Sequence, residues 1–197
     1  EKFPGVDLLV PKIDHIDSIQ NNLEAIIISH GHEDHAGAVA FFANKIKCPV
    51  YATKFAKLLI ENRLKEFNKN EGFILNELSL DKELILNNFK LNFIPTTHSI
   101  PEPSAIVIQT SYGSLLHTAD WKIDKSPTLG NSFSTNEFEK IGNDGLLALI
   151  GDSTNANVPG SSKSENDVRI ELTKVFSRFS NRIVVTCFSS NIARMKN

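Results

Sequence analysis

Ala25-Ile26-Ile27-Ile28-Ser29-His30-Gly31-His32-Glu33-Asp34-His35-Ala36-Gly37 is the stretch on which the reading of this chain turns. Its apolar run 25–28 is β-branched and too short for a buried helix, which predicts a buried strand. The residues from Ala36 through Phe42 predict the start of a helix. Between the two, three histidines and two carboxylates fall within positions 30–35. The cluster is thus expected on a strand-to-helix loop at the carboxyl end of a strand, where open α/β sheets place their ligands.

Neutral imidazoles and carboxylates are donors that zinc and related divalent ions accept. His30 and His32 alternate, so both can converge on one ion from the same side. Asp34 and His35 enter the first helical turn and can face a second ion beside it. Two ions about 3.5–4 Å apart clamp the attacking and leaving oxygens of a hydrolytic displacement. Glu33, lying between the pairs, is expected to point away. The bland alternative is a polar loop with Asp34 as a helix cap.

Composition bounds the rest. The chain has 197 residues, 41% of them hydrophobic and 22% charged, enough for a core in a soluble protein. A formal net charge of -2 gives no global sign of polyanion binding, so attraction to nucleic acid has to come from a local patch or from metals. Cys48 and Cys187 fit neither a metal spacing nor a disulfide framework, and a reducing, cytoplasmic setting is expected. No stretch reads as a membrane span or a cationic-then-apolar leader. The chain opens at Glu1 and has its one methionine at Met195, from which a piece of a longer protein is expected.

Outward from the cluster, residues 3–11 offer a turn and a short apolar segment, and His15 reads as an exposed histidine. Pro49 to Ala52 predicts a strand, with Thr53 capping a helix from Lys54 to about Phe67 whose Phe55, Leu58, Leu59 and Phe67 face the core. Asn68 to Gly72 breaks that helix. Arg63, Lys65 and Lys69 read as a solvated basic face. Leu84 to Leu86 and the alternating Phe89, Leu91 and Phe93 predict antiparallel strands, the second running into Thr96-Thr97-His98. His98, at a strand end like the first cluster, joins it as a metal ligand. Residues 105–110 and 115–120 flank a turn and predict a hairpin; Asp120 closes it and can bridge two ions, while His117 reads as packed or supporting.

Asp124 and Asp144 read as solvated turn residues. Gly145 to Gly151 predicts a buried strand, and Asp152 beyond it reads equally as a turn, a cap or a site residue. Pro159 to Lys163 resembles a linker, and Ser164 with Asp167 a capping box. The following helix carries Val168, Leu172, Val175, Phe176 and Phe179, an amphipathic stripe expected in the core. Arg182 to Phe188 predicts a strand, and Ser189-Ser190-Asn191 the start of another helix.

His30-x-His32-x-Asp34-His35, then His98, then Asp120, resembles the ordered metal signature of the metallo-β-lactamase superfamily. Ser29 to Gly37, Thr96 to Pro101, His117 to Asp120 and Asp152-Ser153-Thr154-Asn155 are similar to the ribonuclease J family of β-CASP nucleases, as are Phe3 to Leu8 and Phe188 to Ile192. The resemblance implies an α/β fold, the αββα sandwich, incomplete here at both ends. It implies a metallo-β-lactamase-like domain over 1–158 and the start of a β-CASP domain over 159–197. One zinc would be held by His30, His32 and His98, another by Asp34 and His35, with Asp120 bridging; manganese is an alternative metal. The implied activity is endonucleolytic and 5′-to-3′ exonucleolytic hydrolysis of RNA by a hydroxide activated between the two metals, with Asp34, Asp120 and Asp152 as catalytic carboxylates. The family's longer members form homo-oligomers.

Departures from the family pattern sharpen the expectation. Its first strands, its late histidines and most of its β-CASP domain have no counterpart in this sequence, so a weakly held second metal and poor RNA cleavage are expected. Ala119 stands where the family has glycine. Two rivals are another hydrolase of this fold acting on a thioester or small phosphodiester, and a non-catalytic remnant that binds RNA or a partner. The lack of any histidine after His117 argues against the first, and the complete-looking ligand set against the second.

Overall fold

A computed structural model describes residues 4–6, 8–69 and 72–197. Phe3 and Asp7 of the opening segment, and Asn70 and Glu71 of the break at 68–72, lie outside the described residues. The chain runs α1 (Asp14–Ile19), a 3-10 turn (Gln20–Asn22), β1 (Ile26–Ile28), a π-helical turn (Glu33–Gly37), α2 (Ala38–Phe41), β2 (Val50–Ala52) and α3 (Lys54–Glu66). It continues with β3 (Leu75–Glu77), β4 (Leu84–Ile85), β5 (Lys90–Pro95), β6 (Ser104–Thr110), β7 (Gly113–His117), α4 (Asn136–Asp144), β8 (Ala148–Ile150), α5 (Glu165–Phe176) and α6 (Ile192–Lys196).

Strand alternation builds four layers. β1, β2 and β3 pair in parallel, and their side chains divide by parity. Ile28, Val50 and Ala52 pack on one face against Val39 and Ala40 of α2 and Ala56, Ile60 and Leu64 of α3. Ile27 and Tyr51 point the other way, onto Leu91, Phe93 and Ile106 of the second sheet. That sheet runs β4-β5-β6-β7-β8, antiparallel except for the parallel β7–β8 pair. Its far face, with Ile94, Ala105, Val107 and Leu116, is covered by Phe138 and Ile141 of α4. Helix, sheet, sheet, helix is the expected αββα order, and three apolar contacts between successive layers hold it together.

Several expectations need correction. α3 buries Ala56, Ile60 and Leu64, spaced by four, while Leu58 and Leu59 are exposed. Thr53 makes no capping bond; Glu102 Oε2 instead accepts from Phe55 N at 2.8 Å. Helix α4 was not legible in its polar sequence. Of the segment 145–151 only Ala148–Ile150 forms a strand, β8, and it is an exposed sheet edge, with Leu147, Leu149 and Ile150 in solvent. The stripe on α5 is half-exposed to exposed, and residues 182–188 form no strand, with Val184 and Phe188 exposed. Among the described residues nothing covers these apolar positions.

Asp124 is not a solvated turn residue either. It is 2% exposed, and its carboxylate accepts from Ser126 N and Glu165 N at 2.9 Å each. Lys122 lies 3.5 Å from both Asp124 and Glu165, so α5 is fastened at its N-terminus to the strand end that carries Asp120. The capping box of Ser164 and Asp167 is formed as expected.

Candidate metal centre

Three strand ends deliver the cluster. β1 runs out into Ser29 and His30, both buried, and His30 is wholly enclosed. Gly31 lets this loop pass close over α3: a Cβ there would stand 2.9 Å from Leu59 Cδ1 and 3.4 Å from Ala56 Cα. The end of β5 carries Thr97 and His98. The end of β7 carries Asp120, preceded by Ala119 in the left-handed region at φ 50° and buried. The loop of His98 is pinned to that of Asp120 by Thr97, whose hydroxyl donates to Lys122 O and accepts from Asp124 N at 3.2 Å.

His32 Nδ1 lies 3.1 Å from His30 Nε2 and 3.0 Å from His98 Nε2. Asp120 faces both sides: its Oδ1 is 3.3 Å from His35 Nε2 and its Oδ2 is 3.8 Å from His98 Nε2. Asp34 Oδ2 is 3.6 Å from His35 Nε2, with the Asp34 side chain 77% exposed. The donors form two groups, His30, His32, His98 and Asp120, and Asp34, His35 and Asp120, each with its donor atoms within 4.8 Å of one another. Two ligands of one tetrahedral zinc at about 2.0–2.1 Å stand about 3.3 Å apart. The spacing and chemistry of the first group therefore suit such an ion.

Electrostatics keep these imidazoles ready to donate. His30 is pushed down to about 3 by burial and by the neighbouring His35, His32 and His98. Burial likewise lowers His32 and His98, against the raising effect of Asp120 on both. Neutral rings crowded nitrogen to nitrogen offer lone pairs rather than charge. Glu33 points away as expected, paired with Arg63 Nη2 at 2.6 Å. His15 is exposed, and His117 stays on β7 with Nδ1 3.4 Å from Ile150 O.

Beside the donors opens a cleft of about 810 Å³ whose walls include His98, Asp120, Trp121, Asp152 and Ser162. Asp152 belongs to neither donor group. Burial alone would raise its carboxyl, but hydrogen bonds from Thr154 and the Trp121 main chain, with His98 nearby, hold it below the usual carboxylate range. The sequence did not disclose Ser29, Thr97, Ser99, Glu102 or Asp124 as supports. Position beside a histidine was the only available signal for the two serines, and it does not say which ring a hydroxyl will reach.

The metallo-beta-lactamase superfamily model matches residues 6–145. The chain is 39% identical over 197 residues to ribonuclease J of Sinorhizobium meliloti, covering 100% of this chain and 35% of that protein. It is 35% identical over 192 residues to ribonuclease J2 of Bacillus subtilis, covering 98% of this chain and 35% of that one. The chain thus spans about a third of the length of these relatives. A solved structure of a protein of unknown function from Enterococcus faecalis V583 superposes with a TM-score of 0.60 at 17% identity, covering 98% of this chain and 54% of that one. That likeness concerns the fold.

Proposed function

The chain belongs to the metallo-β-lactamase superfamily, and from that premise we propose that it is the metal-binding part of a ribonuclease J-type nuclease that hydrolyses RNA phosphodiesters. The observation that carries this reading is Asp120, with one oxygen turned to His35 at 3.3 Å and the other to His98 at 3.8 Å. A carboxylate shared in this way suits two divalent ions, zinc or manganese, side by side. When bound, such a pair supplies an ionised water and positive charge for a phosphate.

The chain's own residues do the rest. His30, His32 and His98 would hold one ion, and Asp34 and His35 the other, with Asp120 offering an oxygen to each group. The first group has four donors, one of them the fully buried His30, while the second has three and an exposed Asp34. The second ion would accordingly be the more weakly held, and slow hydrolysis by this chain is the expectation that follows. Asp152 lines the cleft together with His98 and keeps a negative charge there. The cleft volume of about 810 Å³ accommodates a nucleotide segment. Residues 1–158 form the metal-binding unit and 159–197 begin a β-CASP domain. Cys48 and Cys187 are free thiols, in keeping with a cytoplasmic setting. Among the described residues no helix is long and apolar enough to cross a membrane.

The test is cleavage of a 5′-monophosphorylated RNA with added zinc or manganese, beside His32→Ala. Metal-dependent cleavage that the substitution abolishes is the expected result. Hydrolysis of a generic thioester with RNA left intact would overturn the nuclease reading while keeping the metal centre.

A further inference from the structure

Ser99 follows His98 in sequence, yet its side chain serves a different ring. Ser99 Oγ lies 3.2 Å from Nε2 of His32. The other nitrogen of that ring, Nδ1, faces His30 Nε2 at 3.1 Å and His98 Nε2 at 3.0 Å. A neutral imidazole that presents a lone pair at Nδ1 carries its proton at Nε2. That proton needs an acceptor in a half-buried site, and the Ser99 hydroxyl is within reach of it.

The main chain of Ser99 is held as well. Ala193 N, in the first turn of α6, donates to Ser99 O at 3.0 Å, and Ala193 is 1% exposed. One residue therefore touches the metal-facing ring through its side chain and the C-terminal segment through its carbonyl. His30 has a matching support, with Ser29 Oγ 3.0 Å from its Nδ1, on the side away from His32.

We propose that Ser99 is a positioning residue: its hydroxyl accepts the Nε2–H of His32 and fixes the tautomer whose Nδ1 is free for a metal, while its carbonyl anchors that loop to α6. Supports of this kind set both the orientation and the basicity of a ligating imidazole. A hydroxyl does so without adding negative charge beside Asp120. The inference rests on the metal-binding reading of the His30, His32 and His98 group and not on RNA being the substrate.

Zinc affinity measured by competition with a chelating dye tests it on the unaltered chain, S99A and S99T. Cobalt-loaded absorption spectra and urea unfolding of the metal-free proteins accompany the titrations. S99A is expected to lose about 10–100-fold in affinity for the tighter zinc, with an altered cobalt spectrum and an unchanged metal-free unfolding midpoint. S99T, which restores the hydroxyl, is expected to recover both affinity and spectrum. Equal affinity in S99A and the unaltered chain overturns the role of Ser99 alone, as does an equal loss in S99A and S99T. Absence of tight zinc on the unaltered chain overturns the metal reading with it. Should S99A not fold, S99C, whose thiol is a weak acceptor, takes its place against S99T.

Discussion

The His30, His32 and His98 imidazoles converge on a fully buried His30, with serine hydroxyls on the outer nitrogens of the first two, whereas Asp34 and His35 meet Asp120 at the rim, with Asp34 77% exposed. The two groups share one carboxylate and differ in almost everything else. Burial removes the water that competes for a lone pair and holds each ring in one orientation. An exposed aspartate has to surrender both hydration and rotamer freedom before it binds anything. A site is made tight by what encloses its donors as much as by the donors themselves.

Removing one donor from each group breaks the comparison most directly. His98→Ala is expected to lower the affinity of the tighter zinc by more than about 100-fold, beyond the cost of altering a support. Asp34→Asn should eliminate the weaker equivalent and leave the tighter one in place. Metal analysis after dialysis distinguishes them, and loss of both ions in Asp34→Asn would show one coupled site instead of two unequal ones.

Acid sharpens the contrast next. Three ordinary imidazoles with a pKa of about 6.5 would cost a common ion roughly a thousandfold in affinity between pH 7.5 and 5.5. His30, His32 and His98 all titrate below that ordinary value, so they stay unprotonated as the pH falls through it. Zinc titrations at the two pH values should find a far smaller decline for the tighter ion. A full thousandfold decline would mean that burial does not protect these rings.

The supports of Asp120, shared by both groups, come after. Burial works to raise the Asp124 carboxyl, but the Glu165 and Ser126 N–H groups, the Ser164 hydroxyl and Lys122 hold it below its ordinary value. A carboxyl depressed in the folded state binds fewer protons there than in the unfolded chain. Its contribution is complete above the ordinary carboxylate range and disappears as the pH falls towards the folded value. Asp124→Asn should therefore cost about 1–3 kcal/mol at pH 7 and flatten the loss of stability below about pH 4, as read from urea unfolding.

Ala119 gives the smallest effect. A left-handed alanine costs about 1–2 kcal/mol, and glycine returns about 0.4–1 kcal/mol of that through the freedom of the unfolded chain. Ala119→Gly should thus stabilise the protein by about 0.5 kcal/mol, the residual of those two effects. A lower urea midpoint would mean that the alanine methyl, buried at this position, packs too well to lose.

The layers were legible because parity is local. Ile26-Ile27-Ile28 and Leu91 with Phe93 each state which side faces a core, whatever the partner is. The same rule misled at Leu147 to Ile150, on α5 and at Ile183 to Val185. There the pattern records apolar surface, but burial needs a second surface, and none of the described residues supplies it. Glu102 was hidden for a related reason. Its carboxylate caps α3 from 47 positions away, so no local motif could reveal it.

Sequence by itself determined the α/β class, the candidate donor types and their order, and the placement of those donors at strand ends. These follow from alternation and from side-chain chemistry, which are properties of neighbouring residues. Tertiary structure alone decided which nitrogen of each ring turns inward, that Asp120 stands between two unequal groups, and that Ser99 reaches His32. Those facts depend on distances across β1, β5 and β7, and packing sets such distances only once the two sheets have closed on each other.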